Sequence, residues 1–207
     1  MIDYTLINLR DLLNAYEKDS VTAILSDFYC PYNKDVENFL KQKAIEFSKQ
    51  GYSATHLVFT TYKGKNVLVG YFTLASKYLN TTTRRNALTN TMRKRIGKFA
   101  KYDRDIKSYI MAAPLIGQLG KNYTDGLNEL ITGDELLKMA CDKVVDIQCN
   151  IGGSFVYLEC EDSPRLLEFY DRNGFVNFGK RELEPDEEEV MSGKYLVQLL
   201  KYLKKPK

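Results

Sequence analysis

The stretch from residue 108 to residue 175 limits most of what this chain can become. SYIMAAPLIGQLG (108–120) is apolar enough for a strand inside a sheet. After a looser KNYTDGLNELI, Thr132-Gly133-Asp134-Glu135 opens a helix that runs from 133 to about 149. Thr132 and Glu135 stand three apart and fit a capping box, in which each side chain answers the other's backbone N–H. Leu136, Leu137, Ala140, Val144 and Val145 recur on one face at helical spacing. Gly152-Gly153 breaks the chain, and SFVYLEC (154–160) is again a strand. A strand, a long amphipathic helix and a second strand read as one parallel, right-handed crossover. Pro114 donates no ladder hydrogen bond, so the first of these strands is expected to be an edge, or bulged or splayed at that point.

The remaining elements fit around this unit. YTLINL (4–9) suits a strand or the start of a helix, and LRDLLNAYEK suits a helix. CPYNK is a turn. DVENFLKQKAIEFSKQ (35–50) has apolar residues at 36, 39, 40, 44 and 47, with Gly51 just beyond, which marks a helix and its stop. THLVFTTY (55–62) and NVLVGYFTLAS (66–76), joined through Lys63-Gly64-Lys65, form a hairpin. Residues 84–107 read as one or two helices. Ser163-Pro164 starts a short helix that Gly174 ends. FVNFGKRE and KYLVQLLKYL close the chain as two strands. The fold class is α/β (α+β) with a mixed sheet. One domain over residues 1–207, with a basic helical insertion at about 80–107, accounts for the length.

A chain of 207 residues buries ~70% of its unfolded surface and needs no disulfide or metal staple. Its four cysteines, Cys30, Cys141, Cys149 and Cys160, form no CxxC pair, and His56 is the only histidine. That argues against a zinc site and against Ser-His-Asp or Cys-His chemistry. His56, at the mouth of an apolar strand, reads as structural. No apolar run approaches the ~20 residues of a membrane helix. MIDYTLINLRDLL lacks the pattern of a signal peptide. The expectation is therefore a cytoplasmic protein without a metal.

Net charge is +3, but the distribution is uneven. Arg84, Arg85, Arg93, Lys94, Arg95, Lys98, Lys101, Arg104 and Lys107 face only Asp103 and Asp105 within the same stretch. Such a run suits either a solvated helix face or a footprint for phosphates. No pattern of stacking aromatics of the RNA-binding kind is visible in it. An acidic run follows much later, from Glu182 to Glu189.

The words that carry most are SPRLLEFYDRNGF (163–175), which place Tyr170 near the end of a short helix, then Gly174 and Phe175. Coming after FVYLEC and the crossover, this ending resembles that of the acetyl-CoA-dependent N-acetyltransferases of the GNAT superfamily. The earlier words FYCPYNKDVENFLKQKAIEFSKQGYSATHLVF, VLVGYFTLAS, the basic stretch and PLIGQLG are similar to the toxin-type branch, whose members are encoded with antitoxins and acetylate the amino group of aminoacyl-tRNA. The resemblance implies a GNAT-like mixed sheet with central splayed parallel strands flanked by helices. It also implies acetyl-CoA as co-substrate, a primary amine as acceptor (that of charged tRNA, with a small-molecule or protein amine as the alternative) and an antitoxin partner, and it leaves a homodimer open.

The same resemblance assigns roles by position. Tyr170 would stabilise the leaving thiolate; a packed aromatic is the alternative. Leu119, Gly120 and Lys121 would lie beside the pantetheine, on a strand freed to offer N–H groups to the oxyanion. Ile131, Thr132 and Gly133 would receive the pyrophosphate at the helix N-terminus. Ser163 takes a position where relatives hold a cofactor-binding Asn, and is equally the N-cap of its own helix. Arg84, Arg85, Arg93, Lys94 and Arg95 would guide tRNA. Glu159, Glu161 and Asp162 follow a strand near the expected acceptor, without marking one of them as a base. The family's pyrophosphate loop reads Gln/Arg-x-x-Gly-x-Gly/Ala. Here Leu130-Ile131-Thr132-Gly133-Asp134 keeps one glycine and adds acid, which favours the rival reading of a GNAT fold serving as a non-catalytic binding module.

Overall fold

Alternation and helical rhythm become eight strands and seven α-helices over the residues that the computed structural model describes, 3–81, 88–185 and 194–203. The chain divides into two compact units, Met1–Ala75 with Gly117–Ala140, and Ser76–Ile116 with Cys141–Lys207.

In the first unit, β1 (Tyr4–Asn8) leads directly into α1 (Leu9–Ala15), where the Asn8 side chain accepts the Arg10 N–H at 2.9 Å as an N-cap. Then come α2 (Lys18–Ser26), α3 (Lys34–Asn38) and α4 (Ala44–Gln50). A single π turn, Phe39–Lys43, joins the last two, so the helix expected over 35–50 is present with one wide turn inside it. Gly51, at φ 75°, closes it in the left-handed region. Strands β2 (Ala54–Tyr62) and β3 (Lys65–Thr81) pair antiparallel, with Tyr62 opposite Lys65. The loop is therefore Lys63-Gly64 alone, both at positive φ (50° and 74°), which suits the right-handed twist of the strands. The strand order here is β1-β2-β3-β5. Leu9, Val21, Leu25, Phe28, Leu40, Ala44, Leu57 and Tyr71 make its core. Each large apolar side chain buried there contributes about 1.5–3 kcal/mol.

In the second unit, α5 (Asn90–Phe99) is capped by Thr89, whose hydroxyl accepts the Met92 N–H at 3.2 Å. Of the basic stretch, residues 84–87 lie outside the described residues, and the part beyond α5, residues 101–107, is not helical, contrary to expectation. Residues Lys101–Asp103 form β4, which pairs antiparallel with the start of β5 (Ser108–Lys121). Asp103 drives this turn, because its carboxylate accepts the N–H groups of Asp105 and Ile106 at 2.9 and 3.2 Å. Helix α6 (Gly133–Ile151) leads to β6 (Phe155–Glu161), then α7 (Pro164–Arg172), β7 (Val176–Glu182) and β8 (Tyr195–Tyr202). The order is β3-β5-β6-β8-β7, with β4 on β5. Strands β5 and β6 are parallel, as the crossover required. Strand β5 is not an edge: it has neighbours on both sides. Its ladder with β6 holds two pairs only, Leu115 with Tyr157 and Ile116 with Leu158, immediately after Pro114. Leu79, Met92, Ile96, Met111, Phe155, Tyr157, Phe178 and Leu200 form the core. No described helix is long and apolar enough to cross a membrane.

Candidate active site

Two sets of candidate residues emerge, one in each unit. In the first, β5 ends at Lys121 and a 3-10 turn, Thr124–Leu130, carries the chain to α6. Asn122 fixes this passage. It is 2% exposed; its side-chain oxygen accepts the N–H groups of Tyr29 (3.0 Å) and Thr124 (3.1 Å), and its amide donates to the Leu68 carbonyl at 2.9 Å. Sequence reading missed Asn122, because a polar residue after a strand ordinarily marks a solvated loop.

Lys121 is half-buried and donates from Nζ to the Asn128 carbonyl at 3.0 Å, with Nζ 5.7 Å from the Tyr123 ring centre. Part of its charge thus serves the turn. Gly120 has a packing reason to be glycine: a Cβ there would come within 2.4 Å of Val36 Cγ1. Leu119 is half-buried. Gln118 donates its N–H to the Thr73 hydroxyl (2.9 Å) and its side-chain amide to Asp35 (2.7 Å), so this strand N–H already has an acceptor.

The capping box at α6 is formed in both directions. Glu135 accepts from the Thr132 N–H (2.8 Å) and hydroxyl (2.7 Å), and its own N–H meets the Thr132 oxygen at 3.1 Å. The Thr132 backbone bond, then its hydroxyl, hold the Glu135 carboxyl below the usual Glu range, against a partial loss of solvation. The helix N-terminus thus carries its own anion, beside exposed Thr132 and half-buried Gly133. Ile131, 2% exposed, is core. Tyr4 donates to the Leu130 carbonyl at 2.8 Å and steadies the approach to the helix.

In the second unit, α7 carries Ser163 at its N-cap position and Tyr170 near its end. The Ser163 carbonyl accepts the Leu167 N–H at 3.0 Å, while its hydroxyl makes no capping bond, so that side chain is not consumed by the cap. Gly174, at φ 79°, turns the chain, and the Phe175 N–H returns to the Tyr170 carbonyl at 3.0 Å. Tyr170 is 8% exposed and packs edge-on against Phe169 and Phe175, with centroids at 4.9 and 5.8 Å. Burial, and then the Cys160 thiol, push its phenol well above the ordinary value. The phenol therefore holds its proton across the neutral range.

Glu159 and Glu161 lie at the end of β6 rather than after it, Asp162 follows it, and Glu159 and Asp162 are engaged. Both Glu159 oxygens are taken, by Arg181 Nε (2.7 Å) and Gln198 Nε2 (2.8 Å), and Asp162 pairs with Lys180. Burial, then Glu159, raise Tyr157 to about 12, and burial, then Asp162 and Glu161, raise Cys160 to about 12. All four cysteines are free thiols, and Cys149 is the exposed one. His56 is buried and stacks on Phe72 at 5.0 Å. Among the described residues no His/Cys/Asp/Glu cluster is arranged to hold a metal.

Of the residues expected to guide nucleic acid, Arg84 and Arg85 lie outside the described residues. Lys94 is exposed on α5. Arg95 is half-buried, its guanidinium 4.4 Å from the Tyr202 ring centre, and Arg93 is half-buried with Nε enclosed and unpartnered.

No protein-family model and no curated protein matches the chain. Solved structures do match. AtaT complexed with acetyl-methionyl-tRNAfMet is similar over 97% of this chain and 95% of its own, at 15% identity and a TM-score of 0.61. A tyrosine-to-phenylalanine variant of KacT is similar over 94% and 93%, at 16% identity and a TM-score of 0.58. A variant of the AtaT toxin of the same kind, bound to the C-terminus of the antitoxin AtaR and acetyl-CoA, is similar over 96% and 92%, at 16% identity and a TM-score of 0.56. The fold is the GNAT-like one that these structures share.

Proposed function

We propose that this chain is an acetyl-CoA-dependent N-acetyltransferase of toxin type, acting on the amino group of aminoacyl-tRNA. The observation that supports it most is the β5–α6–β6 crossover with a ladder of two pairs, in a fold that matches AtaT holding an acetylated methionyl-tRNA over nearly the whole chain.

The amine nitrogen attacks the thioester carbonyl carbon. A C–N bond forms, the C–S bond breaks with its electron pair leaving on sulfur as the coenzyme A thiolate, and the proton that the amine nitrogen loses passes to solvent. An α-amino group of pKa ~8 is partly neutral near pH 7 and can attack without a strong base. That fits Glu159 and Asp162, which already hold Arg181, Gln198 and Lys180. The N–H groups of Leu119, Gly120 and Lys121 are assigned to the pantetheine and the oxyanion. Ile131, Thr132 and Gly133 are assigned to the pyrophosphate, and Ser163 to the cofactor from the start of α7. Tyr170 donates its O–H to the developing thiolate; a phenol of raised pKa stays neutral and cannot repel that charge. Charged tRNA and acetyl-CoA meet in the cytoplasm, which is where such an enzyme works. An antitoxin segment, of the kind bound to AtaT, is the expected protein partner.

Incubation with acetyl-CoA and individually charged tRNAs, followed by mass spectrometry of the released aminoacyl-adenosine, tests this reading. Acetylated aminoacyl-adenosine is the expected product. Acetyl transfer to small amines but to no charged tRNA would remove the acceptor assignment. The second reading, a non-catalytic binding module, draws on the reciprocal cap at Thr132 and Glu135. Absence of acetyl-CoA binding up to millimolar concentration by calorimetry would favour it.

A further inference from the structure

Two aromatic rings are exposed where the basic stretch leaves its helix. Phe99, the last residue of α5, is 46% exposed, and Tyr102 in β4 is 47% exposed. Each is supported from beneath. Phe99 stands edge-on to Phe155 at 5.7 Å and lies 6.5 Å from Tyr202. Tyr202 in turn meets Phe155 at 5.4 Å and carries the Arg95 guanidinium. Tyr102 faces Tyr109 across the β4–β5 ladder at 5.1 Å. Phe155 is core, and Tyr109 and Tyr202 pack against the core of this unit. The exposed rings are therefore held in place rather than free to turn.

Around them the surface is cationic. Lys94, Lys98, Lys101, Arg104 and Lys107 are all exposed. Of the two acids in the stretch, Asp103 is engaged in the turn and Asp105 is exposed. A solvated helix face accounts for the lysines, but it gives no reason to hold two rings rigidly in water. Flat rings on fixed supports, among cations, suit a ligand with flat faces and phosphates. An acidic peptide would satisfy the lysines and leave the rings little to stack on.

We propose that the α5–β4 face binds a single-stranded stretch of RNA, with bases stacked on Phe99 and Tyr102 and phosphates held by Lys98, Lys101 and Arg104. The identification of that RNA with an unpaired segment of the tRNA carrying the acceptor amine rests on the function proposed above. Sequence order hid the site, since the supporting rings come from positions 109, 155 and 202.

Fluorescence anisotropy with a labelled, unstructured 12-nucleotide RNA as probe tests it, using the whole chain. The double variant Phe99→Ala/Tyr102→Ala is expected to bind about tenfold or more weakly, with unchanged circular dichroism. Phe99→Trp/Tyr102→Phe is expected to keep wild-type affinity. Lys98→Gln/Lys101→Gln should flatten the dependence of log affinity on log salt by about 1.4. Equal affinity of the alanine variant and wild type overturns the inference, as does binding of an acidic peptide without binding of RNA. The two proposals fail separately. If wild type acetylates charged tRNA and the alanine variant binds RNA normally, the stacking face alone is wrong. If RNA binding needs the rings but no charged tRNA is acetylated, the face stands and the acceptor assignment falls.

Discussion

Tyr170 shows how far a single residue could be read. Its place before Asn173-Gly174-Phe175 marked it, but its burial and its neighbour Cys160 come from segments the local pattern does not contain. If the phenol donates to the thiolate, Tyr170→Phe should lower kcat by on the order of 100-fold at unchanged thermal stability. Burial raises the folded pKa above the free value of ~10. The proton is therefore retained throughout the neutral range, and kcat should show no fall from phenol ionisation up to pH 9. A fall with a midpoint below pH 9, absent from the Phe variant, would contradict the neutral-phenol role. Gly120 carries the opposite lesson. The sequence suggested close approach of a cofactor, and the structure supplies a core reason in the Val36 methyl. Gly120→Ala should cost about 1–3 kcal/mol by overpacking, measured by urea unfolding, whatever happens to activity.

Among the elements, α6 is the most legible and the most consequential. Its start, its apolar face and its reciprocal cap were all written in Thr132-Gly133-Asp134-Glu135 and the leucines that follow, because capping is local chemistry. Glu135→Gln should therefore have two separable effects. Stability should fall by about 1 kcal/mol or less, as for a weakened cap. If the helix start receives a pyrophosphate, acetyl-CoA should also bind more tightly, since a competing negative charge is gone. Calorimetry on the variant reads the second effect, and weaker or equal binding would argue that the pyrophosphate lies elsewhere. The pH dependence has a definite sign. The Thr132 bonds depress the folded pKa of Glu135, so its contribution is present above the unfolded value of ~4.3 and is lost as pH falls through the folded one. The basic stretch was less legible. Helical spacing from Met92 to Ile96 is real, but beyond Ala100 the pattern reflects pairing with β5, a partner that a local window cannot see.

For the whole molecule, the order of strands and helices was readable because turn residues punctuate it, whereas the two-unit division was not, since β3, β5 and α6 each pass across it. The long-range polar ties were equally hidden, and Asn122 is the clearest of them. Its partners at Tyr29 and Leu68 lie 93 and 54 positions away along the chain. Those bonds exist only after β3, β5 and the turn after α2 have met. Closing such long loops is entropically costly early in folding, so Asn122 belongs among the last contacts to form. In a chevron plot, Asn122→Ala should leave the refolding arm nearly unmoved and raise the unfolding rate by about tenfold or more, as the stranded Tyr29 N–H and Leu68 carbonyl demand. The side chain would then act as a latch, deciding how long the assembled protein lasts rather than how quickly it assembles.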